Sequence, residues 1–149
     1  MPKLNRLNLK SNKISVIEDN ALNSPSLEYI ELAFNQITVI KSDTVKGLPK
    51  LNRLNLTSNK ISVIEDNALN SPSLEYIGLS FNQITAIKSD TFKGLPKLYR
   101  LNLESNRISV IEDNALNSPS LGILNWIQIK SRQLNQTRSK ICRCLVIYV

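Results

Sequence analysis

Apolar side chains recur along this chain at fixed offsets, as in Leu4-x-x-Leu7-x-Leu9-x-x-Asn12-x-Ile14-x-x-Ile17. The same order follows Leu27, Leu51, Leu74 and Leu98, and the leading leucines, with Leu121, lie 23, 24, 23, 24 and 23 residues apart. Around Leu7 and Leu9 apolar and polar residues alternate, the period of a half-buried strand. That period predicts a strand whose Leu7 and Leu9 point into a core while Arg6, Asn8 and Lys10 face solvent. Ile14 and Ile17, their copies Ile37/Ile40, Ile61/Ile64, Ile84/Ile87 and Ile108/Ile111, and then Leu22, Val45, Leu69, Phe92 and Leu116 are expected to point inward from the return path. Between them lie turn-forming strings such as Glu18-Asp19-Asn20, Asn23-Ser24-Pro25-Ser26 and Lys46-Gly47-Leu48-Pro49. Proline, glycine and small polar residues at that density predict short turns or one-turn helical pieces, not long helices.

The units pair into a longer one. Residues 4–50 and 51–97 are a 47-residue segment written twice, differing only at Lys10/Thr57, Glu31/Gly78, Ala33/Ser80, Val39/Ala86 and Val45/Phe92. A third copy begins at Leu98 and fades after Leu124. Self-similarity at a fixed period marks a stacked architecture in which no single unit buries its own apolar face. An asparagine closes each strand motif: Asn12, Asn35, Asn59, Asn82 and Asn106. An amide both donates and accepts, so a stacked column of amides can satisfy backbone groups at a turn that is otherwise buried unpaired. A structural ladder is therefore the preferred reading of these five residues.

The L-x-x-L-x-L-x-x-N-x-I core, intact in five consecutive copies, resembles the leucine-rich repeat family over about residues 2–124. The string Thr91-Phe-Lys-Gly-Leu-Pro-Lys-Leu98 is similar to the typical subclass found in extracellular and receptor proteins; the units ending Asn-Ser-Pro-Ser-Leu are one residue shorter. The resemblance implies an α/β-type repeat, mostly β and turns. Its form is a right-handed leucine-rich repeat solenoid arc with a parallel β-sheet on the concave face. Six strands at about 4.8 Å each span only about 24 Å, a short arc. The expected organisation is a solenoid over residues 1–125, five full repeats and a degenerate sixth, followed by a basic, non-repeat and poorly ordered tail over 126–149. The resemblance also implies a non-catalytic interaction module from a receptor or adhesion protein, outside the cell or on its surface, with a protein or peptide as ligand.

The ends qualify this picture. Pro2–Leu9 repeats residues 49–56, so the chain starts inside a unit, with neither a signal peptide nor a polar cap of the kind solenoids need. A truncated piece of a longer repeat protein is the first reading, an authentic short protein the second. In the sixth unit Trp126 takes a leucine's place and Ile129 an asparagine's. Charge is uneven as well. The chain carries a formal +7, yet residues 1–113 balance fourteen basic side chains against twelve acidic ones. Residues 130–149 hold Lys130, Arg132, Arg138, Lys140 and Arg143 and no acid. Net charge suggests nucleic acid; its distribution argues against it for the solenoid and leaves polyanion or anionic-membrane binding to the tail. Cys142 and Cys144 are the only cysteines, too few to make a structural zinc site. They read as a free or intermolecularly paired thiol pair, or as the remnant of a C-terminal cap. The apolar run Cys144–Val149 is far shorter than the roughly 20 residues that span a bilayer. It could add a strand, aggregate, or begin a membrane segment; a gene-model artefact beyond residue 125 accounts for it equally well.

Candidate chemistry lies on the strands. Their third position reads Arg6, Tyr29, Arg53, Tyr76, Arg100, Ile123. If the strands stack in register, this is an Arg–Tyr column on the concave face. Arginine over a ring is worth roughly 0.5–1 kcal/mol when exposed, which makes the column a device for stabilising the sheet. Tyrosine and arginine are also enriched at binding hot spots, which makes it a ligand surface; the two roles are compatible. The fifth position reads Asn8, Glu31, Asn55, Gly78, Asn102 and the seventh Lys10, Ala33, Thr57, Ser80, Glu104. These outward positions change chemistry between copies, as an adaptable surface would, or as any loosely constrained exposed residue would. The expected ligand-binding set is therefore Arg6, Asn8, Lys10, Tyr29, Glu31, Arg53, Asn55, Thr57, Tyr76, Arg100, Asn102 and Glu104. Glycosylation sequons begin at Asn55 and Asn135. A glycan on Asn55 would cover the concave face, so either Asn55 is unmodified or that face is not the ligand's.

No enzyme motif is visible. There is no histidine, no phosphate-binding glycine loop and no nucleophile turn. Glu18-Asp19, Glu65-Asp66 and Glu112-Asp113 recur with the unit, which marks them as solvated turn charges. No cofactor and no metal are expected.

Overall fold

The structure is a computed structural model that describes residues 4–116, 118–125 and 146–148. It is a solenoid in which each unit contributes one strand to a continuous parallel sheet. The sheet strands are β1 (Arg6–Asn8), β2 (Tyr29–Glu31), β4 (Arg53–Asn55), β6 (Tyr76–Gly78), β8 (Arg100–Asn102) and β10 (Ile123–Asn125). A further strand, β11 (Val146–Tyr148), pairs in parallel with β10, so the sheet has seven strands where six were expected. Of the alternatives open for the terminal apolar run, it is the added strand that the described residues form. Expectations for the remainder of the tail, including Trp126, Asn135, Cys142 and Cys144, lie outside the described residues.

Alternation within each short strand fixes which side is core. Ile30 and Leu32, Leu54 and Leu56, Ile77 and Leu79, and Leu101 and Leu103 are all buried. Leu7 and Leu9, in the first unit, are only partly buried against the same cluster. The return path contributes Ile37, Ile40, Ile61, Ile64, Ile84 and Ile87 and, beyond them, Leu22, Val45, Leu69, Phe92 and Leu116. These stack along the solenoid into one continuous apolar column, as an architecture of units too small to fold alone requires.

The return path is made of turns, and no helix occurs among the described residues. Between the turns, two-residue strands pair across neighbouring units: β3 (Val39–Ile40) with β5 (Val63–Ile64), and β7 (Ala86–Ile87) with β9 (Val110–Ile111). Two turns use glycine where a side chain would not fit. Gly47 and Gly94 have φ of +78° and +75°, and a Cβ on either would lie 2.6 Å from Oδ1 of Asn23 or Asn70.

The asparagines bind successive turns together. Asn59 Nδ2 donates to the Leu32 carbonyl of the preceding turn and to its own Leu56 carbonyl, both at 3.0 Å, while Oδ1 accepts the Ile37 amide at 3.0 Å. Asn35, Asn82 and Asn106 repeat this, with Ile14, Ile61 and Ile84 donating to their Oδ1 atoms. Asn12 donates to Leu9 and Lys10 of its own turn and is exposed. Asn35, Asn59, Asn82 and Asn106 therefore each satisfy backbone groups of two turns at once, inside a core where an unpaired group costs about 1–3 kcal/mol.

Candidate functional site

Parallel register sets the third strand position in one line across the sheet. Arg6 pairs with Tyr29, Tyr29 with Arg53, Arg53 with Tyr76 and Tyr76 with Arg100. The guanidinium of Arg6 lies 4.9 Å from the Tyr29 ring centroid. That of Arg53 lies between two rings, 5.7 Å from Tyr29 and 5.1 Å from Tyr76. The three arginines are exposed and the two tyrosines half-buried. No ion pair joins these arginines to a carboxylate among the described residues. Stacking uses the guanidinium faces and leaves the N–H edges free for an acceptor from outside.

The fifth position divides in two. Asn8 is exposed, and Asn55 and Asn102 are half-buried; each accepts a backbone amide two residues on, from Lys10, Thr57 and Glu104 respectively. Glu31, expected as an outward, ligand-facing residue, is buried. Its Oε2 accepts the Tyr29 hydroxyl and, at 3.1 Å, Asn55 Nδ2, while Oε1 accepts the Ala33 amide at 3.1 Å. Three donors converge on one carboxylate because strands β2 and β4 lie side by side. The Tyr29 hydroxyl is pushed above the ordinary tyrosine range, first by its bond to Glu31, then by burial and the Glu31 charge, while Arg53 and Arg6 pull the other way.

Gly78, Ala33 and Ser80 are buried too, so the variable positions of the middle strands are not open surface. The tips of Asn55, Tyr76 and Thr57 crowd Gly78. The Thr57 and Ser80 hydroxyls lie 3.1 Å apart. Lys10, Thr57 and Glu104 run along the same edge, exposed at Lys10 and half-buried at the other two.

Two residues of this face escaped the sequence reading. Phe34 and Phe81 precede the ladder asparagine, where the other units carry Ser11, Ser58 and Ser105. All five have φ between 55° and 58°, a left-handed backbone that L side chains other than asparagine rarely adopt. Yet the two phenylalanines are 53 % and 54 % exposed. Lys10 Nζ sits 5.3 Å over the Phe34 ring. The signal was an apolar residue at a strained position that serine fills elsewhere, visible once the units are aligned on their asparagines.

A family model described as leucine rich repeat matches residues 25–84 and 72–125. The chain belongs to the leucine-rich repeat family. No match was found among curated proteins. Among solved structures, the leucine-rich repeat domain of APL1B superposes with a TM-score of 0.75 at 28% identity, over 83% of this chain and 36% of that one. TLR13, solved in complex with ssRNA13, gives 0.79 at 24% identity, over 92% of this chain and 20% of that one. The Drosophila Toll–Spatzle complex gives 0.68 at 19% identity, over 89% and 22%. The latter two carry the fold alone. This leucine-rich repeat chain thus spans about a fifth to just over a third of the structures it resembles.

Proposed function

We propose that this leucine-rich repeat chain is a non-catalytic interaction module whose concave sheet binds a protein or peptide through Arg6, Tyr29, Arg53, Tyr76 and Arg100. The observation that carries this reading is the in-register column itself: exposed cations stacked on rings, without a carboxylate of their own. Pre-stacked arginine and tyrosine lose little conformational freedom on binding, which is what makes such side chains hot spots. Phe34 and Phe81 add apolar anchors, and Asn8, Lys10, Thr57, Asn102 and Glu104 polar contacts, along the same face. Glu31 is assigned to holding Tyr29 instead. The resemblance of Thr91–Leu98 to the typical repeat subclass of extracellular and receptor proteins supports a parent protein that acts outside the cell or at its surface.

Polypeptide is favoured over nucleic acid because charge along this face is mixed: exposed Glu28 and Glu75 immediately precede the column tyrosines, and Glu104 follows Asn102 by two residues. The test is selection of binders from a random display library on the full chain. The amides that shift in 15N spectra when a selected peptide and, separately, a single-stranded RNA are added are then mapped. Shifts confined to β1, β2, β4, β6 and β8 with peptide are expected. Shifts on the turns opposite the sheet, or on the sheet only with RNA, would overturn the reading.

A further inference from the structure

The two copies of the 47-residue unit differ at the point where one of them holds a carboxylate. In the first, three donors meet on Glu31: the hydroxyl of Tyr29, the amide of Ala33 and Nδ2 of Asn55. The second copy keeps every one of these donors, as Tyr76, the amide of Ser80 and Asn102, with Gly78 in register beside Asn102 as Glu31 is beside Asn55. Gly78 has no side chain to offer them. Lys10, Thr57 and Glu104 donate the equivalent amide to an asparagine two residues back, and Ala33 donates it to Glu31. The Ser80 amide has no acceptor among the described residues, although Ser80 is buried. The Tyr76 hydroxyl and Asn102 Nδ2 have none either. Atoms crowding a Cβ built on Gly78 are all tips of side chains: Asn55 Oδ1 at 2.7 Å, Tyr76 Oη at 2.8 Å and Thr57 Oγ1 at 3.2 Å.

We propose that Tyr76, Ser80 N–H and Asn102 around Gly78 form a carboxylate-binding site, filled by an aspartate or glutamate side chain of an extended protein ligand, as Glu31 fills its counterpart from within the chain. The proposal rests on the concave face being the ligand's and names the chemistry that face selects. Charge agrees with it. Arg53 lies 5.1 Å from the Tyr76 ring and Arg100 is in register on the other side, so an arriving anion meets two cations. Leaving a buried amide unbonded is costly, and hydrogen bonds to a charged acceptor are the stronger ones. A polypeptide is the occupant because the column continues past the site to Tyr29 and Arg6, more contact than a small acid can use.

The test titrates 15N-labelled full-length chain with a blocked pentapeptide carrying one central glutamate, with its glutamine counterpart, and with acetate at constant ionic strength. The glutamate peptide should move the Ser80 amide proton saturably, leave Ala33 in place, and bind at least about tenfold more tightly than the glutamine peptide or acetate. Gly78→Glu, which rebuilds the first copy's arrangement, should abolish the shift. Tyr76→Phe, which fills nothing, should weaken binding about tenfold. A Ser80 amide that ignores the glutamate peptide, or a shift that survives Gly78→Glu, overturns the site. Acetate binding as tightly as the peptide overturns the polypeptide occupant. A display-selected peptide that maps to the Arg–Tyr column and is indifferent to Gly78→Glu would sink this inference while leaving the concave-face function standing. A titrating Ser80, with every selected peptide mapping elsewhere, would do the reverse.

Discussion

Tyr29 donates its hydroxyl to the carboxylate of Glu31, two residues along the same strand, and so ties the Arg–Tyr column to the buried polar layer beneath it. The bond raises the Tyr29 hydroxyl above its ordinary value of 10.0. A raised folded-state value means that the folded chain holds this proton more tightly than the unfolded one. The contribution to stability is therefore complete below the unfolded value and is lost as pH climbs through the folded one. Glu31→Gly should return one tyrosine to the ordinary range in a tyrosinate absorbance titration. An unchanged titration curve would show that the bond does not form in solution.

Asn59 serves two turns while Asn12 bonds only within its own. Asn59→Ala leaves the Ile37 amide unpaired in the core and takes one of two donors from the Leu32 and Leu56 carbonyls, which keep Asn35 and Asn82, a loss of about 1–3 kcal/mol. Asn12→Ala should cost under about 1 kcal/mol, since the site is exposed. Urea unfolding of the two variants checks the ratio; equal losses would mean that the ladder does not carry the stacking.

Phe81 has φ of +55° and is exposed. Asparagine tolerates that backbone better, so Phe81→Asn should leave stability unchanged or raise it by up to about 1 kcal/mol. Affinity for a concave-face peptide should fall at the same time. A destabilised variant would instead assign Phe81 to packing.

Asn55 Nδ2, the atom that an N-linked glycan would occupy, is bonded to Glu31. Expressed through a secretory pathway, the chain should carry no glycan on Asn55. Mass spectrometry of the peptide containing Asn55 decides this, and an occupied site would contradict both the Glu31 arrangement and an open concave face.

The fold was legible because its determinants are one-dimensional. Leading leucines 23 and 24 residues apart fix the turn length, alternation around Leu54 and Leu56 fixes the strand and its core side, and Asn59 fixes where the strand ends. The register of Arg53 with Tyr29 and Tyr76 followed from the same spacing. Glu31 was not legible. On a sheet face, period-2 alternation gives the side of the sheet but not exposure, which depends on Tyr29 and on Asn55, 24 residues away. Phe34 and Phe81 were missed because backbone sign is not written in hydropathy. The pairs β3–β5 and β7–β9 are too short to leave a periodic trace, and β11 lies beyond the repeat.

The central claim is that the column formed by Arg6, Tyr29, Arg53, Tyr76 and Arg100 is the ligand's surface. Its most direct measurement is the calorimetric affinity of a display-selected peptide for the wild-type chain and for the double variant Arg53→Ala/Tyr76→Ala, with circular dichroism confirming that the sheet is retained. The account predicts a loss of about a hundredfold or more. An affinity unchanged in a folded double variant would contradict it.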